Sequence, residues 1–252
     1  MKSEERKKDF LSLFDKFYTR AKWEVFSDFV VMSACALSNP LDKQHYDERE
    51  KLYLSIAGKY TKDEINIFPN MLAHLIEIFS IYDSENQVRD VLGWLFEKLE
   101  LHNKYRGQFF TPEHICELMS RISFDKGDKA IEERGFLTLN EPCSGSGRMI
   151  LAFANVMRDK GYNHQKNLFV VAQDIDLNCV CMTYIQLALY GIPAIVIHGN
   201  ALTCKAESHW YTPAYFYDMW YAKEIFPSNM SEDMRSRKIS ADAQVSFEDL
   251  FD

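Results

Sequence analysis

The chain has 252 residues, 47% of them apolar and 14% aromatic, the make-up of a globular protein with room for one large domain or two small ones. Its 29 Lys and Arg are outnumbered by 37 Asp and Glu, and the formal net charge of −8 argues against a free-standing nucleic-acid binder built on a broad basic face. The charged N-terminus does not read as a signal peptide and no uninterrupted apolar run is long enough to span a bilayer, so a cytoplasmic protein with no membrane partner is expected.

Residues 1–105 read as helical. Phe10, Leu13, Phe14 and Phe17 form one apolar stripe. Trp23, Phe26, Phe29, Val30, Ala34 and Leu37 form a second, stopped by Asn39-Pro40. The basic residues Arg6, Lys7, Lys8, Lys16, Arg20 and Lys22 read as the solvated side of these helices. Thr61 with Glu64 makes a capping box ahead of Ile65, Met71, Leu72, Leu75, Ile76 and Phe79, with Pro69 marking a break or restart. Ser84 with Gln87 repeats the signature before the cleanest stripe, Val88, Val91, Leu92, Leu95, Phe96 and Leu99. A small helical bundle is expected.

From residue 106 the pattern changes. Gly107-Gln108-Phe109-Phe110 reads as a loop, with Thr111 as a helix cap and Pro112 at the first helical position. Short apolar runs follow at 136–139, 168–172, 194–197 and 215–217, and helical patterns at 147–160 and 177–190 alternate with the first three. Gly191 and Pro193 stop the second helix. This alternation predicts a partial Rossmann-like α/β domain over 106–226, with a parallel sheet and a fourth strand near 214–221. Residues 227–252 read as a polar tail. The six cysteines lack a CxxC pair and read as reduced core thiols, and the histidines show no metal spacing.

The chemistry is concentrated in Glu141-Pro142-Cys143-Ser144-Gly145-Ser146-Gly147, which follows a predicted strand and opens a predicted helix. Glycines there let a ligand approach the backbone, and the helix start offers N–H groups. A dinucleotide fingerprint needs a third glycine where Ile150 stands, and no Walker lysine follows, so NAD and a phosphate loop are disfavoured. Asp174 ends the second strand, where such folds place a ribose-binding carboxylate, and Asp176 caps the next helix. Asn200 ends the third strand with an amide able to read an adenine edge, against the plainer reading of a turn residue.

The glycine segment resembles the first cofactor motif of the gamma-type N6-adenine DNA methyltransferases. Gly107 to Pro112 resembles the segment that opens the methylase domain of type I restriction-modification modification subunits. Gln173-Asp174-Ile175-Asp176 and Gly199-Asn200-Ala201-Leu202 fall in order for the second and third motifs. The resemblance implies S-adenosylmethionine as cofactor and DNA as substrate, reached with the help of a partner subunit, a further protein partner or a second copy. Phe110, Thr111 and Pro112 are then expected at the methionine end of the cofactor. Glu141, Pro142, Cys143, Gly145 and Gly147 are expected to line the same end, with Glu141 facing the ammonium. Asp174 is expected on the ribose, Ile175 on the adenine ring and Asn200 at the adenine amino group.

One departure stands out. The family places Asn-Pro-Pro-Phe/Tyr after its fourth strand, and an ungapped alignment puts Lys223, Glu224, Ile225 and Phe226 there. In the family the Asn side chain and a carbonyl accept the hydrogens of the target amino group, and the aromatic ring stacks the flipped base. A charged lysine is donor-only and cannot do the former. The expectation is therefore an adenine-N6 methyltransferase-like protein with an altered catalytic loop. The alternative is a degenerate cofactor-binding or scaffold subunit without methyl transfer.

Overall fold

A computed structural model describes residues 2–99, 110–125 and 127–225. The sequence readings on Gly107, Gln108, Phe109, Phe226 and 227–252 lie outside the described residues. The first part is helical throughout: α1 (Lys2–Phe14), α2 (Lys22–Ser38), α3 (Tyr46–Ala57), α4 (Lys62–Ile65), α5 (Ile67–Ser84) and α6 (Val91–Lys98). Phe10, Leu13, Phe14 and Phe17 are buried, as the stripe requires, and α2 ends just before Asn39-Pro40. The Thr61–Glu64 capping box is fully formed. Pro69 sits in the first turn of α5, where a missing N–H costs nothing, so it marks a restart rather than a break.

Several helix readings need correction. Trp23 and Ile76 are exposed rather than in the core. Lys7 is buried, because its ammonium pairs with Glu4 and lies over the rings of Tyr82 and Trp94. Ser84 ends α5 instead of capping a new helix, and its hydroxyl donates to the Ile81 carbonyl. The cap of α6 is Asp90, which accepts from the Gly93 N–H at 2.8 Å. By length and composition Lys62–Ser84 is long and apolar enough to cross a membrane, although it holds no uninterrupted apolar run. Here Phe68, Met71, Leu75, Ile78, Phe79 and Tyr82 are its buried residues.

The second part holds α7 (Glu113–Ser123), α8 (Gly127–Arg134), β1 (Leu137–Glu141), α9 (Arg148–Asp159), α10 (His164–Asn167), β2 (Leu168–Asp174), α11 (Leu177–Leu189) and β3 (Ala194–Asn200). Pro112, not Thr111, is the N-cap of α7, and no side chain bonds to that helix start. Strands β1, β2 and β3 are adjacent and parallel, with Leu139 opposite Val170 and Val170 opposite Ala194. Gly191 adopts φ +66° after α11, the left-handed stop expected of it. The alternation of β2 sorts its side chains. Leu168, Val170 and Ala172 enter a core shared with the N-terminal helices, while Phe169 and Val171 face a second cluster.

The fourth strand is not where the aromatic run suggests. It is β4 (Lys205–Tyr211), antiparallel to β3 and joined to it by a short connection. A Cβ on Gly199 would stand 2.2 Å from the Lys205 carbonyl oxygen, so only glycine lets the two strands approach this closely. Tyr215-Phe216-Tyr217 lies instead in α12 (Pro213–Tyr217), followed by α13 (Trp220–Ile225). Pro213 occupies the first turn, and the Thr212 hydroxyl is bound back to the Ala194 N–H and the Ile192 carbonyl, both at 2.9 Å. Tyr215 and Trp220 then pack on Phe169, on the sheet face away from the main core. Of the six cysteines, Cys35, Cys116, Cys179 and Cys181 are buried, whereas Cys143 and Cys204 are exposed rather than core thiols.

Candidate functional site

The carboxyl ends of β1, β2 and β3 gather most of the singled-out residues. After Glu141 the chain turns through Pro142 to Gly147 and enters α9. Gly145 and Gly147 have φ of +56° and +89°, a region that side chains with a Cβ avoid. Close packing reinforces the requirement. A Cβ on Gly145 would meet the Phe110 ring at 3.2 Å, and one on Gly147 would meet Thr183 Oγ1 at 3.3 Å.

The turn is tied down on both flanks. The Ser144 N–H donates to the Gln173 carbonyl at 2.9 Å, and the Gly147 N–H to the Ser144 carbonyl at 2.7 Å. Asp174 accepts from the Gly145 N–H at 2.8 Å and from the Asp176 N–H at 3.0 Å. Thr183 Oγ1 lies 3.1 Å from the Gly145 carbonyl oxygen. Gln186 donates to the Ser146 carbonyl at 2.6 Å.

Two carboxylates face this turn from adjacent strands. Burial pushes the Asp174 carboxyl above the usual carboxylate range, against the pull of the Asp176 and Gly145 N–H groups. Burial also raises Glu141, and the charge of Asp174 adds to it, while the Cys143 N–H works the other way. A cationic or hydroxyl-bearing ligand placed here would relieve both.

Phe110 lies beside the turn, its ring 5.1 Å from that of Phe96 and 5.7 Å from the Arg148 guanidinium. Arg148 also donates to the Thr111 carbonyl at 3.1 Å. Ile175 is 66% exposed just beyond Asp174, an apolar surface next to the strand ends. His198 Nε2 lies 3.2 Å from the Ile175 carbonyl oxygen, and its Nδ1 lies 3.2 Å from Glu207 Oε2. Asp176 caps α11 through the Asn178 N–H at 2.8 Å, as its position suggested. Asn200 uses its amide oxygen to accept from Leu202 and Thr203 at 2.9 and 3.3 Å, closing the connection to β4. That is the bond pattern of a turn residue, and it leaves the amide nitrogen as the group to offer a ligand.

Lys223 does not share this neighbourhood by topology. It lies on α13, whose Trp220 is packed on the back of the sheet, and its ammonium sits 4.0 Å from the centre of that ring. The setting of a loop after a fourth strand is therefore absent at Lys223. The 252 residues contain no Asn-Pro-Pro triplet.

Sequence reasoning missed Asp90, Thr183 and Gln186, which hold the turn from outside the motif. The signal was present for two of them. Thr183 and Gln186 are polar positions within the buried stretch 179–187 of α11, and a buried polar residue asks for a partner.

A search of curated proteins gave no significant match. Among solved structures, a methyltransferase subunit of a type I restriction-modification system from Streptococcus thermophilus is similar at 21% identity and a TM-score of 0.41. That match covers 64% of this chain and 33% of the other. A protein described as a class I S-adenosylmethionine-dependent methyltransferase from Listeria monocytogenes is similar at 13% identity and a TM-score of 0.40, over 79% of this chain and 54% of the other. The chain thus spans a third of the length of the first and about half of the second. The sequence profile of the family described as N-6 DNA Methylase matches residues 83–223, which include every element from α6 through β4. On that match, over more than half its length, the chain belongs to the N-6 DNA methylase family.

Proposed function

We propose that the carboxyl ends of β1, β2 and β3 bind S-adenosylmethionine, and that the chain serves adenine-N6 methylation of DNA in a restriction-modification setting. The observation that carries this reading is the glycine turn, with both glycines at positive φ, held between Glu141 and Asp174 on adjacent parallel strands. The residues fit the group. Glu141 supplies a partly desolvated carboxylate for an ammonium. Beyond its bonds to the Gly145 and Asp176 N–H groups the Asp174 carboxylate keeps acceptor capacity, which suits ribose hydroxyls. Ile175 offers an exposed apolar side chain to an adenine ring. When bound, the cofactor supplies an electrophilic methyl group. The part of the chain is to hold and orient it.

Under this reading residues 1–105 form a helical unit, 106–226 the methyltransferase unit and 227–252 a tail. The substrate is DNA, engaged in the cytoplasm with a partner subunit. With a net charge of −8, a partner rather than this chain alone supplies much of the phosphate contact.

Calorimetric titration of the whole chain with S-adenosylmethionine tests the site. Saturable binding is expected, weakened about 10- to 100-fold in Asp174→Ala by loss of charged hydrogen bonds. A folded wild type that gives no saturable heat rejects the reading.

A second reading keeps the cofactor site without methyl transfer in this chain. The position of Lys223 on a helix, with its ammonium on Trp220, favours it. Incubation with methyl-labelled cofactor and adenine-containing DNA separates the two. Label in adenine supports the enzyme, and binding without label supports the subunit that only holds cofactor.

A further inference from the structure

The inference that follows rests on the cofactor reading above. We infer that Asp90 is a positioning residue for the cofactor turn, acting through Ser146. Asp90 belongs to the helical part of the chain, 51 positions before Glu141, and lies outside the glycine motif. Its side chain is only 7% exposed, and its two oxygens accept from four donors on four separate pieces of structure. Oδ1 accepts from the Gly93 N–H of α6 and from Gln186 Nε2 of α11, each at 2.8 Å. Oδ2 accepts from Ser146 Oγ at 2.7 Å and from Arg148 Nε at 2.6 Å.

A helix cap alone needs only the first of these bonds. The others go to the turn and its supports. Ser146 stands between Gly145 and Gly147, the two residues whose backbones have the most freedom to lose. Its hydroxyl is held by Asp90, and its carbonyl by Gln186. Gln186 is in turn saturated. Its nitrogen donates to Asp90 and Ser146, and its oxygen accepts from the Val91 and Leu92 N–H groups at 2.8 and 3.2 Å. Gly93 is part of the device, since a Cβ there would stand 2.1 Å from Asp90 Oδ2. The start of α6 therefore adds a hold on the middle of a turn whose flanks are already tied by Gln173, Asp174 and Thr183. Order present beforehand is not lost on binding.

Three full-length variants test this. Ser146→Ala removes the hydroxyl and leaves the Asp90–Arg148 pair and the Gln186 bonds in place. Asp90→Asn keeps the shape and turns one acceptor into a donor. Asp174→Ala reports on the cofactor site itself. Each is titrated with S-adenosylmethionine at a temperature where circular dichroism shows it folded, and amide exchange of the peptide covering 141–151 is followed without cofactor.

The expected result is an S-adenosylmethionine Kd raised about tenfold or more in Asp90→Asn and about threefold in Ser146→Ala, by loss of preorganisation. Faster exchange confined to the turn and to the start of α6 should accompany it. Both variants binding like wild type, with unchanged exchange in the turn, overturns the positioning role while Asp174→Ala still loses binding. A lowered melting temperature with unchanged Kd also overturns it, because a purely structural Asp90 would give that outcome. If Asp90→Asn does not fold, Ser146→Ala decides alone. A folded wild type that never binds removes this role together with the cofactor reading.

Discussion

Gly145 donates its N–H to Asp174 Oδ2 across 2.8 Å, so the acid that ends β2 holds the turn that ends β1. The same carboxylate accepts from Asp176 on its other oxygen. A residue assigned to a ligand thus also fixes the backbone on which that ligand would lie, and its loss should act on both.

Acid titration should expose this pair. Burial raises Asp174 and Glu141 above the usual carboxylate range in the folded chain. The native state then binds more protons than the unfolded state over the window between the unfolded and folded values, and stability falls as pH rises through it. Below that window both states are protonated and the penalty is gone. Denaturant unfolding measured upward from the ordinary carboxylate range should show this fall, and Asp174→Asn should flatten it. An equal slope in the variant assigns the fall to other groups. Affinity for S-adenosylmethionine should run the other way, rising as both acids ionise.

Gly147→Ala should destabilise the chain by about 1–3 kcal/mol, the usual cost of forcing a side chain into a sparsely populated backbone region. The left-handed φ of +89° is one reason, and the 3.3 Å approach to Thr183 Oγ1 is the other. Thermal melting with and without cofactor measures both consequences. A variant that melts and binds like wild type shows that the turn can relax elsewhere.

The buried pair Arg49–Asp42 joins the helices to β4. Both side chains are 4% exposed, the guanidinium bonds to Asp42 Oδ2 and to the His209 carbonyl at 2.6 Å, and it lies 4.3 Å over the Trp210 ring. Arg49→Met should cost about 3–5 kcal/mol, because it takes the guanidinium from a buried carboxylate and leaves Asp42 to His45 Nδ1 at 3.0 Å. Urea unfolding would register the loss directly, and a cost under about 1 kcal/mol would place the pair with ordinary surface bridges.

Restoring the family tripeptide with Lys223→Asn, Glu224→Pro and Ile225→Pro should not create methyl transfer. Glu224 and Ile225 end the short helix α13, and a proline at either removes an N–H from its last turn and disfavours the helical backbone of the residue before it. Labelled adenine produced by the triple variant alone would show that the segment can adopt a loop in the presence of DNA.

The strand–helix alternation from Leu137 to Asn200 was legible because period and punctuation agree there, as in the Gly191 and Pro193 stop after α11. The error at Tyr215-Phe216-Tyr217 has a physical source. An aromatic triplet is equally at home in a strand or on the buried side of a short helix, and Thr212-Pro213 is a helix start that outweighs it. The true fourth strand, Lys205 to Tyr211, lies at the end of the sheet among the described residues and is mostly polar, so it lacked an apolar run. Of the site, the motif residues were readable from local order. Asp90 was not, since its partners Ser146, Arg148 and Gln186 are 56, 58 and 96 residues away.

The uneven burial of the cysteines has a chemical consequence. Burial pushes Cys35 up to about 12 and raises Cys116, Cys179 and Cys181 as well, so these four hold their protons and stay unreactive at neutral pH. Only Cys143 and Cys204 among the six are open to solvent. Cys143 lies in the glycine turn and Cys204 in the connection after Asn200, both beyond the carboxyl ends of the parallel strands. Oxidants and alkylating reagents would therefore strike the end of the sheet that the cofactor would occupy and leave the core untouched.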